Sequence, residues 1–156
     1  MEFKKITEYN LDECISLNPK KEQLAFVASN ISSLAEAYVA ISNEMCVPMP
    51  FCIYEKEQMV GFIMLAYENE SQGEHGNVYW VWRLMIEDKY QGLGYGKKAM
   101  EKAIEIVKAF PCGSSQFLYL SYEPNNLIAE GLYSSLGFVK TGEIEEGEIV
   151  CRLQLS

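Results

Sequence analysis

A glycine-rich turn that follows an apolar run is the part of the sequence best suited to bind a phosphate. The turn has glycines at 92, 94 and 96 and lies between a β-prone run at 78–86 and a helical pattern. Successive backbone N–H groups, with the positive end of a helix dipole behind them, form an anion site. Glycine allows close approach of the backbone and positive φ. The alternative interpretation is a turn whose glycines only let a strand and a helix pack.

Two better-known phosphate motifs do not fit this turn. A dinucleotide-binding fingerprint requires G-x-G-x-x-G, whereas the sequence from Gly92 gives G-x-G-x-G and the sequence from Gly94 gives G-x-G followed by Lys97. A P-loop requires one residue more than the three that separate Gly92 from Gly96, and Lys98 stands where a magnesium-binding hydroxyl is needed. The turn therefore does not favour a nucleoside triphosphate with magnesium.

Composition excludes several other classes of site and partner. The five cysteines form no C-x-x-C pair and the chain has one histidine, so neither a metal site nor a disulfide framework is predicted. Reduced cysteines are typical of a cytoplasmic protein. The net charge of −9 disfavours a nucleic-acid partner and allows a small cationic substrate. No signal-like segment opens the sequence and no apolar run is long enough to span a membrane, so no membrane partner is expected.

The elements that must position the turn follow from apolar periodicity. Strands are predicted at 2–8, 51–55, 59–68, 78–86 and 117–122, and as a pair from 137 to 155 that turns near Glu146-Gly147. Helices are predicted at 11–17 with Asn10 as cap, across 22–41 with a break at Ser29-Asn30, at 96–109 and at 126–136. Residues 1–156 thus form one α+β or mixed α/β domain. Its central crossover, which joins 78–86 to 117–122 through the helix at 96–109, should be parallel and right-handed.

Two motifs within this order of elements resemble a known family. Gln91-Gly-Leu-Gly-Tyr-Gly96 is similar to the [Gln/Arg]-x-x-Gly-x-[Gly/Ala] coenzyme A motif of the GNAT-type N-acetyltransferases, and the spacing of Asn126, Tyr133 and Gly137-Phe138 is similar to their second signature. The segment 23–37 further resembles bacterial spermine/spermidine acetyltransferases. The resemblance implies a mixed, mostly antiparallel central sheet that is splayed in the middle, with helices on both faces and acetyl-CoA in the gap.

The resemblance also implies roles for individual residues. Backbone groups of 84–86 would pair with the pantetheine arm, N–H groups of 92–97 would hold the pyrophosphate, and Tyr133 would lie beside the thioester sulfur. The cofactor-binding residues implied in this way are Leu84, Met85, Ile86, Gln91, Gly92, Leu93, Gly94, Tyr95, Gly96, Lys97, Asn126, Ala129 and Tyr133.

Residue chemistry independently supports a catalytic role for Tyr133. Acetyl transfer to an amine passes through a tetrahedral intermediate, so it needs a donor for the oxyanion, a deprotonated amine and an acid for the departing thiolate. A strand N–H near Met85 can be the donor. A tyrosine, with a pKa of about 10 against about 8.5 for a thiol, stays protonated at neutral pH and can protonate the thiolate. The alternatives are a core tyrosine and, for Asn126, a helix cap.

The general base has no single candidate. Polyamine acetyltransferases of this type often carry a carboxylate nine positions before the Gln of the cofactor motif, and this sequence has Trp82 there. An alkyl ammonium with a pKa of about 10.4 must still lose a proton before attack. The candidate bases are Glu68, Glu70, Glu74, His75 and Tyr79, with His75 placed in a surface turn. Glu36, Trp82 and Glu130 are candidates to bind the substrate cation, and core packing beside Trp80 is the alternative for Trp82.

These observations predict an enzyme that transfers an acetyl group from acetyl-CoA to a primary amine of a small molecule by direct attack in a ternary complex. A polyamine such as spermine or spermidine is the best single candidate. The alternatives are acetylation of a protein or peptide amine, and a non-catalytic acyl-CoA-binding regulatory module, which Trp82 motivates. The expected partner is a small cationic amine, and a homodimer stays open.

Overall fold

The computed structural model describes residues 1–156 and contains one seven-stranded sheet with four α-helices. The strands are β1 Glu2–Lys5, β2 Val47–Glu55, β3 Gln58–Glu68, β4 Val78–Ile86, β5 Phe117–Tyr122, β6 Val139–Glu145 and β7 Glu148–Gln154. The helices are α1 Leu11–Ser16, α2 Asn30–Ser42, α3 Tyr95–Lys108 and α4 Leu127–Ser135, with 3-10 turns at Lys21–Gln23 and Asp88–Tyr90. None of the helices combines the length and apolar character needed to cross a membrane.

The sheet order is β1-β2-β3-β4-β5-β7-β6, and every neighbouring pair is antiparallel except β4 with β5. The predicted α+β class with a mixed, mostly antiparallel sheet is therefore confirmed. β3 and β4 are nearly continuous apolar runs because helices cover both faces of the sheet. Ile63 and Leu65 face the core cluster that includes α3, whereas Phe62 and Met64 face the cluster that includes residues of α1 and α2.

The sheet is open between β4 and β5. These strands pair in parallel only at Tyr79–Leu118, Trp80–Tyr119 and Val81–Leu120. β4 then continues to Ile86 and β5 to Tyr122 without pairing with each other. The predicted splay and the predicted parallel crossover through α3 are both present.

A β-bulge lies at the point where the sheet opens. Leu65 pairs with Val81 while the preceding Met64 pairs with Arg83, so Trp82 is the extra residue of β4. A bulge bends its strand and increases the local twist. The bulge at Trp82 therefore helps to direct the end of β4 away from β5.

Four local predictions differ from the structure. β2 begins at Val47 and not at residue 51. β1 ends at Lys5 and does not continue to residue 8. Asn10 does not cap α1, because its Oδ1 accepts the N–H of Thr7 at 2.7 Å and its Nδ2 donates to the carbonyl of Lys5 at 3.0 Å. The first of the two helices predicted across 22–41 is only the Lys21–Gln23 turn, and α2 begins after Ser29, whose Oγ accepts the N–H of Ser32 at 3.1 Å. The apolar residues at 24–27 line a cavity at the open end of the sheet instead.

Candidate active site

The open end of the sheet forms a cleft of about 330 Å³ between β4, the glycine turn and α4, which we call the cofactor cleft. Every residue predicted to bind the cofactor lines this cleft except Leu93, whose side chain is largely exposed. Its walls are mainly apolar, as is usual for a cofactor site with a few polar groups at fixed positions. The structure therefore brings the two sequence motifs, at 91–96 and 126–138, to opposite sides of one cavity.

The glycine turn presents unpaired backbone donors at one end of this cleft. Gly92 and Gly94 have φ of 79° and 82°, a conformation that favours glycine. The N–H groups of 92–97 make no hydrogen bond to the rest of the chain, and the first bond of α3 runs from Lys98 N–H to the Gly94 carbonyl at 3.1 Å. Free N–H groups at the positive end of a helix fit the pyrophosphate of coenzyme A.

The side chain of Gln91 holds the cleft together. Its Nε2 donates to the carbonyl oxygen of Ile86 at 2.9 Å and to Oε1 of Gln23 at 2.7 Å. These bonds join the end of β4 to the turn that closes the cleft from the other side. Gln91 therefore positions the walls through its side chain, which the motif alone did not indicate.

The free edge of β4 offers the N–H groups of Leu84 and Ile86 and the carbonyl of Leu84, since the carbonyl of Ile86 already accepts from Gln91. The backbone groups of Met85 face β3. The N–H of Glu87 donates to the Val60 carbonyl at 2.9 Å, and Met85 pairs with Phe62 in the same register. Bonding direction alternates along a strand, so Leu84 and Ile86 point to the opposite, open side. The oxyanion donor predicted near Met85 is thus available from its two neighbours and not from Met85 itself.

Tyr133 lies on α4 at the inner end of the cofactor cleft. Its ring packs against Tyr122 and Phe138, with centroids 6.0 and 5.9 Å away. Burial, with a further contribution from the negative charge of Glu148, raises the pKa of Tyr133 to about 12. The hydroxyl is therefore protonated at neutral pH and is able to donate a proton.

Asn126 caps α4, as the alternative interpretation proposed. Its Oδ1 accepts the N–H of Ala129 at 3.2 Å. This bond uses only the oxygen of the amide, so the NH₂ group is left for a second partner, and Asn126 also lines the cofactor cleft. The helix-capping role and a role at the cofactor are compatible.

A second cavity, of about 450 Å³, lies on the other side of Tyr133 and is called the acceptor cavity here. It shares Val27, Leu84, Asn126, Ala129 and Tyr133 with the cofactor cleft. Residues of the 24–28 segment, the bulge of β4, the end of β5 and the β6–β7 turn complete its walls. Tyr133 thus stands between two cavities that meet in the splay of the sheet.

The acceptor cavity adjoins a third cavity, of about 540 Å³, which we call the acidic cavity and which shares six of its lining residues: Val81, Trp82, Arg83, Ser121, Glu146 and Glu148. Its carboxylates are Glu36, Glu68, Glu74, Glu145, Glu146 and Glu148, and its one arginine is Arg83. Arg83 forms an ion pair with Glu36 and donates to the carbonyl of Trp82 at 2.8 Å. Burial raises the pKa of the Glu68 carboxyl. The net charge of the cavity is strongly negative.

The three predicted cation-binding residues do not all lie in one cavity. Glu36 and Trp82 line the acidic cavity. Glu130 lines none of the three cavities, and its carboxylate pairs with Lys140 at 2.7 Å. Trp80 packs in the core, with its ring 5.1 Å from that of Tyr119.

The five candidate bases also lie in different places. Glu68, Glu74 and His75 line the acidic cavity, and Glu70 is exposed outside it. Tyr79 is fully buried, and its hydroxyl donates to the Gly113 carbonyl at 2.8 Å while it accepts N–H groups from Cys112 and Gly113. A hydroxyl used in this way is not free to act on a substrate.

His75 does not have the exposed side chain that a surface turn suggests. Its ring is 12% exposed, lies 4.7 Å from the ring of Tyr119, and has Nε2 3.1 Å from the carboxylate of Glu143. The backbone does form a turn, but the ring packs inward on aromatic neighbours.

Sequence reasoning missed the carboxylates of the β6–β7 hairpin. Glu145, Glu146 and Glu148 enter the acidic cavity because β7 pairs with β5, which places the hairpin turn beside the splay. The only signal in the sequence is the run of glutamates at 143–148, which is typical of any solvated turn.

Comparison with known proteins agrees with this geometry. Residues 19–138 match the family model described as the Acetyltransferase (GNAT) family. The chain belongs to the GNAT family. The resemblance predicted from the two motifs is confirmed, and with it an acetyl-CoA-dependent N-acetyltransferase.

Relatives of this GNAT chain include proteins that are named for polyamines. It is 30% identical over 146 residues to the spermine/spermidine N(1)-acetyltransferase of Bacillus subtilis (strain 168), which is 92% of this chain and 90% of that protein. It is similar in fold to the PaiA N-acetyltransferase of Thermoplasma acidophilum in complex with coenzyme A, with a TM-score of 0.70, 14% identity and 98% of both chains covered. The spermidine N-acetyltransferase of Vibrio cholerae in complex with CoA and spermine has a TM-score of 0.68 and 18% identity, with 97% of this chain and 92% of that chain covered.

Proposed function

We propose that this GNAT chain acetylates a primary amine of a small polycation, with spermine or spermidine as the best candidate, by direct attack in a ternary complex. The observation that carries the proposal is the acidic cavity, which adjoins the acceptor cavity that Tyr133 lines. Six glutamates against one arginine attract a cation and raise its local concentration. A linear polyamine can keep one ammonium group among these carboxylates while its other end reaches the splay.

The cofactor cleft supplies the other half of the proposed reaction. Bound acetyl-CoA provides the thioester that the amine attacks. The N–H groups of 92–97 hold the pyrophosphate, and the open-edge groups of Leu84 and Ile86 pair with the pantetheine arm. The raised pKa of Tyr133 keeps its hydroxyl protonated, and its position between the two cavities places that proton where the departing sulfur can take it.

The cation site in this proposal consists of Trp82, Glu68 and Glu36. The indole of Trp82 lines the acidic cavity, where it can offer a cation–π contact of about 0.5–2 kcal/mol. Glu36 is already paired with Arg83, so Glu68 is the carboxylate more available to a substrate. Trp82 then contributes to recognition at a position where related enzymes often use a carboxylate.

The alternatives receive less support from the cavities. A peptide amine would favour a wide acceptor groove with few acidic residues, and the cavity here is rich in them. A non-catalytic acyl-CoA-binding module has no use for a protonated tyrosine between the two cavities. We further propose that residues 1–156 act as one cytoplasmic acetyltransferase domain without a nucleic-acid or membrane partner.

The test is steady-state release of thiol from acetyl-CoA with a panel of amines. The panel contains spermine, spermidine, lysine, small aromatic amines and a peptide with a free N-terminus. We expect the highest kcat/KM with the polyamines and a KM for them that rises with salt, because screening weakens attraction to the acidic cavity. Tight binding of coenzyme A without turnover on any amine would contradict the proposal and favour the regulatory module.

A further inference from the structure

Glu148 is held at the junction of the acidic and acceptor cavities. Ser121 Oγ donates to its Oε1 at 2.9 Å, which fixes one carboxylate oxygen. Leu120 and Tyr122 belong to the core cluster beneath α3, so the intervening Ser121 points to the opposite face of the sheet. The same alternation along β7 directs Glu148 to that face, because Ile149 and Cys151 pack in the α3 cluster. Glu148 therefore faces the side from which an acceptor enters.

Among the carboxylates of the acidic cavity, only Glu146 and Glu148 also line the acceptor cavity that contains Tyr133. Glu146 lies in the hairpin turn, is exposed, and makes no hydrogen bond through its carboxylate. Glu148 is half-buried and anchored by Ser121. Its negative charge also contributes to the raised pKa of Tyr133, which agrees with its proximity to the proposed acid.

We infer that Glu148 is the general base of the reaction and that Ser121 positions it. This inference rests on the proposed acetyl transfer to an amine. The Glu148 carboxylate takes one proton from the substrate ammonium, and the free amine attacks the thioester carbonyl, so that a C–N bond forms and the C–S bond breaks. The ammonium loses two protons in all. One leaves through Glu148 to solvent, and the other replaces the proton that Tyr133 gives to the sulfur.

Several charged groups share these cavities with Glu148 and set the environment of the proton transfer. They are Glu36 of α2, Glu68 of β3, Glu74 and His75 of the loop before β4, Arg83 of β4, Glu123 after β5, Tyr133 of α4, Glu145 of β6 and Glu146 of the turn. The surplus of carboxylates stabilises the ammonium form of the substrate, so deprotonation needs a base at the point of attack.

The experiment compares Glu148→Gln with Glu105→Gln, which removes the same charge from the exposed face of α3, outside the three cavities. With spermidine near neutral pH, we expect Glu148→Gln to lower kcat by at least about 100-fold and Glu105→Gln to change it by less than about threefold. The kcat/KM of Glu148→Gln should rise about tenfold per pH unit, because only the amine already deprotonated in solution can then react. Ser121→Ala should lower kcat to an intermediate value, and Glu148→Asp should restore part of the loss.

Calorimetry with coenzyme A checks that each variant keeps a folded cofactor cleft. A normal kcat in Glu148→Gln, or a raised KM for spermidine as its only defect, would overturn the role of Glu148 as base. Turnover of polyamines by the wild-type enzyme would still support the proposed function in that case. Absence of amine turnover in the wild-type chain would overturn both. The two failures are therefore distinguishable.

Discussion

Gly61 packs directly against the main chain of Met85. A Cβ added at Gly61 would lie 2.4 Å from the Met85 carbonyl oxygen, a distance that real Cβ atoms do not show. Gly61 pairs with Ile86 at the end of β4, where the strand forms a wall of the cofactor cleft. Since the obstacle is a backbone atom and not a flexible side chain, it cannot move aside without moving the strand.

Gly61→Ala should therefore lower the free energy of unfolding by about 1–3 kcal/mol, as other overpacked sites do. Urea denaturation measures the effect. The matched control is Gly131→Ala on α4, where nothing lies within 4 Å of the added Cβ. That change should raise stability by about 0.5–1 kcal/mol, since alanine is the better helix former. Equal stability of the two variants would mean that the spacing of β3 and β4 adjusts freely.

Gly94→Ala should weaken the binding of coenzyme A much more than it destabilises the fold. Gly94 has φ of 82° at the start of α3, so alanine costs about 1–2 kcal/mol of backbone strain and disturbs the free N–H groups beside it. Gly142→Ala is the matched control, because Gly142 has φ of 90°, open space around its Cβ and a position on β6. We expect a loss of affinity of at least about tenfold by calorimetry for Gly94→Ala only. Equal affinities of the two variants for coenzyme A would mean that the glycine turn does not bind the pyrophosphate.

The residues that line the cofactor cleft could be predicted from sequence because their signals are local. The glycine turn, the strand before it and the helix after it are contiguous, and their physical requirements are visible in the order of residues at 78–109. The positions of Asn126 and Tyr133 follow from the spacing of one short helix. Only the hydrogen bonds from the Gln91 side chain to Ile86 and Gln23 could not be predicted from the sequence.

The acceptor half could not be predicted because its residues are distant in the chain. Glu36 comes from α2, Glu68 from the end of β3 and Glu148 from β7. These carboxylates lie close together because β7 lies between β5 and β6 in the sheet. The periodicity of apolar residues predicts strands but does not predict their order in the sheet. For the same reason the sequence could not reveal that the Tyr79 hydroxyl is occupied by the loop at 112–113.

Glu68→Gln should raise the KM for spermidine about fivefold, equivalent to about 1 kcal/mol, with little change in the KM for acetyl-CoA. Because burial raises the pKa of Glu68, folding disfavours its charged form, and its contribution to stability is lost as pH rises through the folded pKa. The variant should thus be more stable than wild type near neutral pH, while it binds the polyamine less well. Steady-state kinetics and urea denaturation measure the two effects. Glu105→Gln on the exposed face of α3 should change neither.

Tyr133→Phe should reduce kcat by at least about 100-fold while the affinity for acetyl-CoA changes little, because only the proton donor is removed. Tyr122→Phe is the matched control, since both tyrosines belong to the same aromatic cluster and burial raises both pKa values to about 12. Thiol release and calorimetry give the two quantities. Normal turnover by Tyr133→Phe, or an equal loss in Tyr122→Phe, would remove Tyr133 from the role of acid.

The same two tyrosines should make the fold sensitive to alkali. The pKa of each rises from about 10 in the unfolded chain to about 12 in the folded chain. Between these values the folded state holds a proton that the unfolded state has lost, so the free energy of unfolding falls as pH rises through this window. Either Tyr→Phe variant should show a shallower fall than wild type in urea denaturation at successive pH values. If the free energy of unfolding of a variant falls with pH as steeply as that of wild type, the corresponding hydroxyl is solvated in the folded protein. For Tyr133, this result would also contradict the argument that the hydroxyl stays protonated until the thiolate leaves.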